Sequence, residues 1–529
     1  MKRENRFAVV GAVLLTAVFV WAGAKIFLRT SPGLDGGAKK RLTFAHYLVY
    51  ESNRQFFDEI FRDYERMHPD VSIQQIDVPP PVWPAWRQTR FSGDTAPDII
   101  QLGRGITDEQ CALFLRPLTE ALREPNPYNR GTDLERVPWR ETFVDGLDAS
   151  PETLRPQLMD YYGVSSYVNI ERFFVNLDLY ARIAGDAPPP RDYDEFIALC
   201  RRTLAYAREH ELNLEPIAGS IEFMRNFFNR VAAQQTQRIA RRIDLEGDGF
   251  LHQRFREPAL GWLRGEWKLD DPGVRDACET IRELGRYFQP GVLSSSRDEA
   301  GFLFKQGQTL FIYSGSWDAS YFMTDTAFRV GVMPLHLPKP GHALGRGTLG
   351  GITELAAAPS GGFAITKGSR HPEVALDFLR YFSSRAINQK FANDCLRVPV
   401  IVGAKTPEAV AGFALETAGY AWGFTLSGAE ATMRLFETSV HLLLATTGSV
   451  DGFLERMTKG YGGAVRQDLQ ASVREGVRAQ QRLDAMLFGL SQLSGEKEHE
   501  RLRRLRENQA LQEAEIYQTR LALAENKLQ

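Results

Sequence analysis

From Leu42 onward the chain alternates between two hydrophobic rhythms. Leu42–Tyr47 is a short apolar run with strand character, after which Phe56, Phe57, Ile60, Phe61 and Tyr64 recur at the spacing of one helix face. Ser52 with Gln55 predicts a capping box at the start of that helix, and His68-Pro69 predicts its end. Val71–Ile76 returns to strand, completing a βαβ unit that favours a parallel sheet. A third short strand lies within "APDIIQLG" (Ala96–Gly103), and Thr107 with Gln110 caps the next helix. The alternation continues. Asp192 and Glu195 open a helix carrying Phe196, Leu199, Cys200 and Leu204; Val274, Cys278, Ile281, Leu284 and Phe288 mark another. Thr309–Tyr313 is a strand. Pro372, suited to a first helical turn, opens a helix with Val374, Ala375, Phe378, Leu379 and Phe382 on one side. The fold class this predicts is α/β, without an internal repeat.

The length, 529 residues, exceeds one ordinary core and predicts two or more lobes. Hydrophobic residues make up 43% and charged residues 25%, a globular composition. With 64 basic and 66 acidic residues the net charge is −2, so no general attraction to nucleic acid is expected. Cys111, Cys200, Cys278 and Cys395 form no CxxC pair, which argues against a zinc or redox site; buried free thiols are expected at Cys200 and Cys278.

The two ends differ from the body. Lys2, Arg3 and Arg6 precede an uncharged run, Phe7–Ala24, which directs the chain to a membrane as a cleaved signal or a retained anchor. Ala22-Gly23-Ala24 resembles a peptidase site, and no Cys follows for lipid attachment. The body is then expected outside the cytoplasmic membrane, with the basic end inside. Thr30–Lys40 is a linker. Beyond about Leu493 the chain becomes rich in Glu, Arg, Gln and Leu without Gly or Pro over Glu496–Lys527, predicting a solvated helix. Its best heptad register puts Leu502, Gln509, Ile516 and Leu523 at a, and Leu505, Gln512, Thr519 and Asn526 at d. Half of that seam is polar, so a single exposed or domain-packed helix is expected, with weak self-association as the alternative.

No catalytic motif is present: GxxxxGK[ST], HExxH and GxSxG are all missing, and the nine histidines are scattered. "DLEGDGF" (Asp244–Phe250) lacks the length and terminal Glu of an EF-hand loop and reads as a surface turn. Neighbouring carboxylates such as Asp58 and Glu59 do not share a helix face. No catalytic residue, metal ligand or cofactor is therefore assigned. What does recur is an aromatic or planar polar residue at the end of a strand, where open α/β sheets bind ligands. His46 and Tyr47 end the first strand, Trp83 and Trp86 follow the second, Arg104 follows the third, and Trp317 follows Thr309–Tyr313. Flat aromatic faces cover the apolar side of a sugar ring, and planar polar groups satisfy its hydroxyl rim. Each residue alone also fits core packing.

In order along residues 41–490 the chain resembles the extracellular solute-binding proteins of ABC importers, in their sugar-binding, maltose-binding-like class. The residues that carry this are "LTFAHY", "FFDEIFRDYERMHPDVSIQQIDV", "GDTAPDIIQLG", "LRPLTEAL", "FFVNLDLYARIAGDAPPPRDYDEFIALC", "FLFKQGQTLFIYSGSWD" and "PSGGFAITKGSRHPEVALDFLRYF". Departures are Val175-Asn176 for the family's "YN", "YYGVSSY" without the usual Pro, and a tail with no counterpart.

The resemblance implies a two-lobed periplasmic-binding-protein fold of type II-like connectivity. Lobe one would comprise 41–163 and 332–385, lobe two 164–331 and 386–492, preceded by a signal or anchor (1–29) and linker (30–40), and followed by a charged helix (493–529). Hinge crossings are expected near Tyr162–Ser165, Val330–Pro334 and Ser384–Cys395. A carbohydrate would bind between the lobes, and a permease would be the partner, with no covalent chemistry. Carried over by position, the ligand-binding candidates are Trp317, His46, Tyr47, Arg104, Asn169, Arg172, Asn176 and the turn Gly361, Gly362, Phe363. Trp422 and Phe424 follow from the last part of lobe two, and Asp98 is expected to be a structural turn residue. A membrane-anchored sensory receptor and a glycan-active enzyme are the alternative readings.

Overall fold

The computed structural model describes residues 39–103, 105–150, 152–245, 247, 255–324, 326–354, 359–445, 447–492 and 495–526. The N-terminal apolar run, Arg104 and most of the Asp244–Phe250 turn lie outside the described residues. No described helix is long and apolar enough to cross a membrane.

Eight strands organise the body: β1 (Lys40–His46), β2 (Val71–Asp77), β3 (Ile99–Gln101), β4 (Glu171–Asn176), β5 (Glu215–Ala218), β6 (Thr309–Gly315), β7 (Val330–Met333) and β8 (Phe363–Ile365). The helices needed below are α1 (Glu51–Met67), α2 (Trp83–Ser92), α3 (Asp108–Phe114), α4 (Ile221–Gln235), α5 (Arg256–Leu263), α6 (Pro372–Phe382), α7 (Arg385–Cys395), α8 (Val450–Ser491) and α9 (Glu496–Glu525). One four-stranded sheet has the order β8-β3-β1-β2, with β1 parallel to β2 and β3 and with β8 antiparallel to β3. The second has the order β7-β4-β6-β5, with β5 and β6 parallel and the other pairs antiparallel.

Alternation along each strand divides the cores, since successive side chains leave opposite faces. In β1, Leu42 and Phe44 enter a large cluster with α1 and α6, while Ala45 faces a smaller one with Trp83, Phe91 and Cys111. In the second sheet Phe173, Val175, Phe311 and Tyr313 enter the second lobe's core. Phe174, Ala218 and Ile312 join the cluster shared with the first lobe. Asp98 has the expected structural role: Oδ2 accepts from Thr43 N at 2.8 Å and Oδ1 from Ser369 Oγ at 2.7 Å, tying β1 to the turn before α6. All four cysteines are free and buried.

Three segments run side by side between the sheets. Val164 bridges Phe363, Tyr167–Val168 pairs with Pro359–Ser360, and Val168 bridges Val398. Two expected boundaries fall elsewhere in the contacts. The stretch after β7 stays on the second lobe, where Gln234 donates to Pro338 O at 3.0 Å and Arg346 N to Asp276 Oδ2 at 2.9 Å. α7 packs on α1 through Phe391 and Phe56, with ring centroids 4.6 Å apart, so it lies with the first lobe. A helix start also differs. α1 begins after Tyr50 without a side-chain cap, because Ser52 Oγ is engaged 2.9 Å from Ser320 Oγ of the other lobe.

Candidate functional site

The segment beyond the carboxyl end of β1 in one sheet touches the segment beyond the carboxyl end of β6 in the other. Tyr50 OH, after β1, donates to Asp318 Oδ1, after β6, at 2.7 Å. Asp318 is 2% exposed and is also held by Arg297 and by Ser314 Oγ. Burial pushes the Tyr50 phenol well above its ordinary range, and the Asp318 charge adds to it, so this group stays a donor at any working pH. Tyr50 and Tyr321 stack alongside at 6.0 Å. The crevice between the two edges is the candidate site.

On the first lobe's edge, Tyr47, Trp83 and Trp86 form one aromatic group. Tyr47 and Trp83 are 5.3 Å apart, and Trp83 and Trp86 stack at 5.2 Å. Trp83 is buried and supports the other two, which are half-buried. Gly103 has φ +69°, and a Cβ there would meet the Tyr47 ring at 3.0 Å, so the residue before Arg104 must be small for that ring to lie where it does.

On the second lobe's edge, Trp317 sits in a single 3₁₀ turn, Ser316–Asp318, directly after β6. Its ring is half-buried and folds back over Gly315, where a Cβ would lie 2.1 Å from Cζ3. The opening between small residues thus lets the indole lie flat on the backbone with one side on the second core. Asn169 is beside it: Ile170 N donates to Ser316 Oγ at 3.2 Å, and the Asn169 Oδ1 is buried without a partner among the described residues. Trp422 is half-buried, donates Nε1 to Thr353 O at 2.8 Å, and carries the Arg230 guanidinium 4.6 Å from its ring.

The remaining expected residues occupy structural positions. His46 is fully buried, stacked on Phe57 at 4.6 Å. Its Nδ1 accepts from Leu48 N, and its Nε2 lies 2.8 Å from the Gln75 side-chain nitrogen. Burial lowers its pKa to about 4, so the ring is neutral at pH 7. Arg172 forms a bidentate pair with Glu354, both bonds 2.7 Å, and Arg230 adds a third at 2.9 Å. Burial opposes the Glu354 charge, but the hydrogen bonds and charges of the two arginines outweigh it and hold the carboxyl below its usual range. Asn176 caps a helix through Leu179 N. Gly362 N donates to Glu152 Oε2 at 2.8 Å, Phe363 is core, and Phe424 packs on Trp267 at 4.7 Å. Sequence reasoning passed over Tyr50, Asp318, Arg230 and Glu354; only Asp318, next to the Trp317 turn, had a local signal.

Comparison with known proteins bears on this arrangement. A family model described as "Bacterial extracellular solute-binding protein" matches residues 132–414, more than half of the chain. The chain belongs to that family. Solute-binding proteins of known structure share the two-lobed α/β fold. A chitin oligosaccharide binding protein is similar at TM-score 0.53 and 20% identity, covering 81% of this chain and 100% of its own. Apo RafE from Streptococcus pneumoniae reaches 0.54 at 15% identity, covering 82% and 100%. The maltose/maltodextrin-binding domain MalE from Bdellovibrio bacteriovorus, bound to maltotriose, reaches 0.52 at 15% identity, covering 81% and 100%. No curated protein sequence matches this chain. Family and neighbours alike are binding proteins, and membership implies capture of a solute outside the cytoplasm.

Proposed function

We propose that this solute-binding protein is a sugar receptor of the maltose-binding-like class, which takes a carbohydrate between its lobes and delivers it to an ABC importer permease. One observation carries the reading: half-buried aromatic side chains follow strand ends in both lobes, Tyr47 and Trp86 on the first and Trp317 on the second. In the proposed binding mode these faces cover the apolar sides of a pyranose, and the Asn169 carboxamide oxygen, unpartnered among the described residues, receives a hydroxyl. The printed ligands of similar structures, chitin oligosaccharide, raffinose and maltotriose, support the same chemistry.

Tyr50 and Asp318 link the edges where the lobes meet, so closing and opening change a small number of identifiable hydrogen bonds. A solute favours the closed form by binding it better than the open one. The basic–apolar order of residues 1–24 motivates export or N-terminal anchoring of the body. A thermal-shift screen of the purified chain against mono- and oligosaccharides tests the reading: stabilisation by at least one saccharide is expected. A flat response to sugars together with stabilisation by amino acids, peptides or polyamines would overturn it.

A further inference from the structure

The two longest helices stand apart from both sheets. The first half of α8 is buried in the second lobe through Phe453, Met457, Tyr461, Val465 and Leu469. Beyond Leu469 it continues to Ser491, a projection of about 33 Å at 1.5 Å per residue. α9 returns along it, closed by a small core of Leu483, Leu487, Leu502 and Leu505. Its end is fastened to the second lobe, where Asn526 accepts from Arg466 at 2.7 Å and donates to Leu263 O at 3.2 Å. Midway, Asn508 Nδ2 comes 3.4 Å from Pro156 O of the first lobe. A hairpin rooted in one lobe therefore reaches the other.

Beneath it lies a cavity of about 1200 Å³, walled by α3 and Arg155 of the first lobe, Arg256 of the second, and the middle of the hairpin. That is larger than the roughly 300–1,000 Å³ of an ordinary small-molecule pocket, and suits several linked rings. Acidic and basic residues line the cavity in equal number, but they are unequally placed. Arg474, Glu475 and Arg478 are exposed on the hairpin, whereas Arg155 is only 8% exposed. Its Nη1 lies 3.4 Å from Asp108 Oδ1, and its Nε is buried without a partner among the described residues. Arg87 lies close behind at 3% exposure, donates to Leu102 O, and has its own Nε unpartnered. The neighbouring Cys111 thiol, pushed up to about 11 by burial, stays neutral and offsets none of this charge. The nearby Glu152 carboxylate is committed to Gly362 N. A guanidinium has five donors in a fork that matches a carboxylate, and a buried one with donors unmade is costly.

We propose, resting on the sugar-receptor reading, that this chamber is a carboxylate-binding subsite for acidic oligosaccharides, with Arg155 receiving the carboxylate and the C-terminal hairpin forming the outer wall. The hairpin then limits the solute from outside while the arginine selects it from within. The test is calorimetry on the full chain with trigalacturonate and its neutral counterpart galactotriose. Wild-type protein is expected to bind the acid at least tenfold more tightly. Arg155→Gln should abolish that preference while changing affinity for the neutral sugar less than twofold. Ser472→Trp, which fills the chamber from an exposed hairpin position, should weaken acid binding at least tenfold without touching the buried pair, and stands in if the arginine variant does not fold. Equal affinity of wild-type protein for the two sugars, or acid binding unmoved by Ser472→Trp, would overturn the subsite while leaving the sugar-receptor reading intact. Failure to bind either trisaccharide, or any member of the wider panel, would sink that reading and the subsite with it.

Discussion

Gly315→Ala isolates the contribution of Trp317 without removing it. The backbone at Gly315 has φ −107° and ψ 166°, which any residue adopts, so alanine brings no conformational penalty of its own. The added Cβ would lie 2.1 to 2.4 Å from three atoms of the Trp317 ring, a distance that forces the indole off the strand end. If that face stacks on a ligand ring, the lost burial is about 100 Å² of apolar surface, or ~2.5 kcal/mol at ~25 cal/mol/Å². Affinity should therefore fall roughly 50–100-fold, since ~1.4 kcal/mol is tenfold. Stability should change by less than the ~3–5 kcal/mol of a truncated core Trp, because the ring is only half-buried. The assay is a double-mutant cycle by calorimetry and urea denaturation with Trp317→Ala. In the alanine background Gly315→Ala has no ring to displace and should leave affinity unchanged. Equal losses in both backgrounds would show that Gly315 acts on its own. Unchanged affinity in either single variant would remove Trp317 from the site.

Further outcomes follow from the buried groups. His46 stays neutral in the folded chain down to about pH 4, whereas the unfolded ring protonates near its ordinary 6.5; its contribution is present above pH 6.5 and is lost as pH falls toward 4, at ~1.4 kcal/mol per pH unit. Urea midpoints at pH 7 and pH 5 should show that loss in wild-type protein and a smaller one in His46→Gln. Glu354→Ala strips Arg172 of its counter-ion in a buried setting and should cost ~3–5 kcal/mol by denaturation; a loss below ~1 kcal/mol would contradict the buried network. Tyr50→Phe removes the bond to the Asp318 carboxylate, worth ~1.5–3 kcal/mol, and with it the longer 3.3 Å bond accepted from Arg297. Small-angle scattering of the ligand-free chain should then show a more open average shape at little cost in melting temperature.

Much of the fold was legible because local signals agreed. The βαβ unit, the Thr107–Gln110 box, the Asp192 cap and the Pro372 start all appear where periodicity and capping chemistry put them. The misplaced site residues had a readable signal too. Leu42, Phe44 and His46 share one parity along β1, the face that enters the large core, whereas Tyr47 follows the opposite parity toward Trp83. A strand-end aromatic of core parity is therefore core. The Arg172–Glu354–Arg230 network was not readable, because its members lie 182 and 124 positions apart and pair only through the fold. Ser52 kept the composition of a cap but spends its hydroxyl on the other lobe. The hairpin was half legible: Leu502, Leu505, Thr519 and Leu523 of the heptad seam are buried. Their partner is α8 of the same chain, whose helical pattern is interrupted by Gly460, Gly462, Gly463 and Gly476. At Gly476 α9 packs tightly on α8, since a Cβ there would meet Ile516 at 3.0 Å.

Capture between the lobes is tested most directly by hydrogen–deuterium exchange of the full chain with and without a saccharide found in the thermal-shift screen. The account predicts new protection on both edges of the crevice at once, around Tyr47 and Trp83–Trp86 on the first lobe and around Asn169 and Ser316–Ser320 on the second. Protection confined to one lobe, or absent from both edges while the sugar is demonstrably bound, would contradict it.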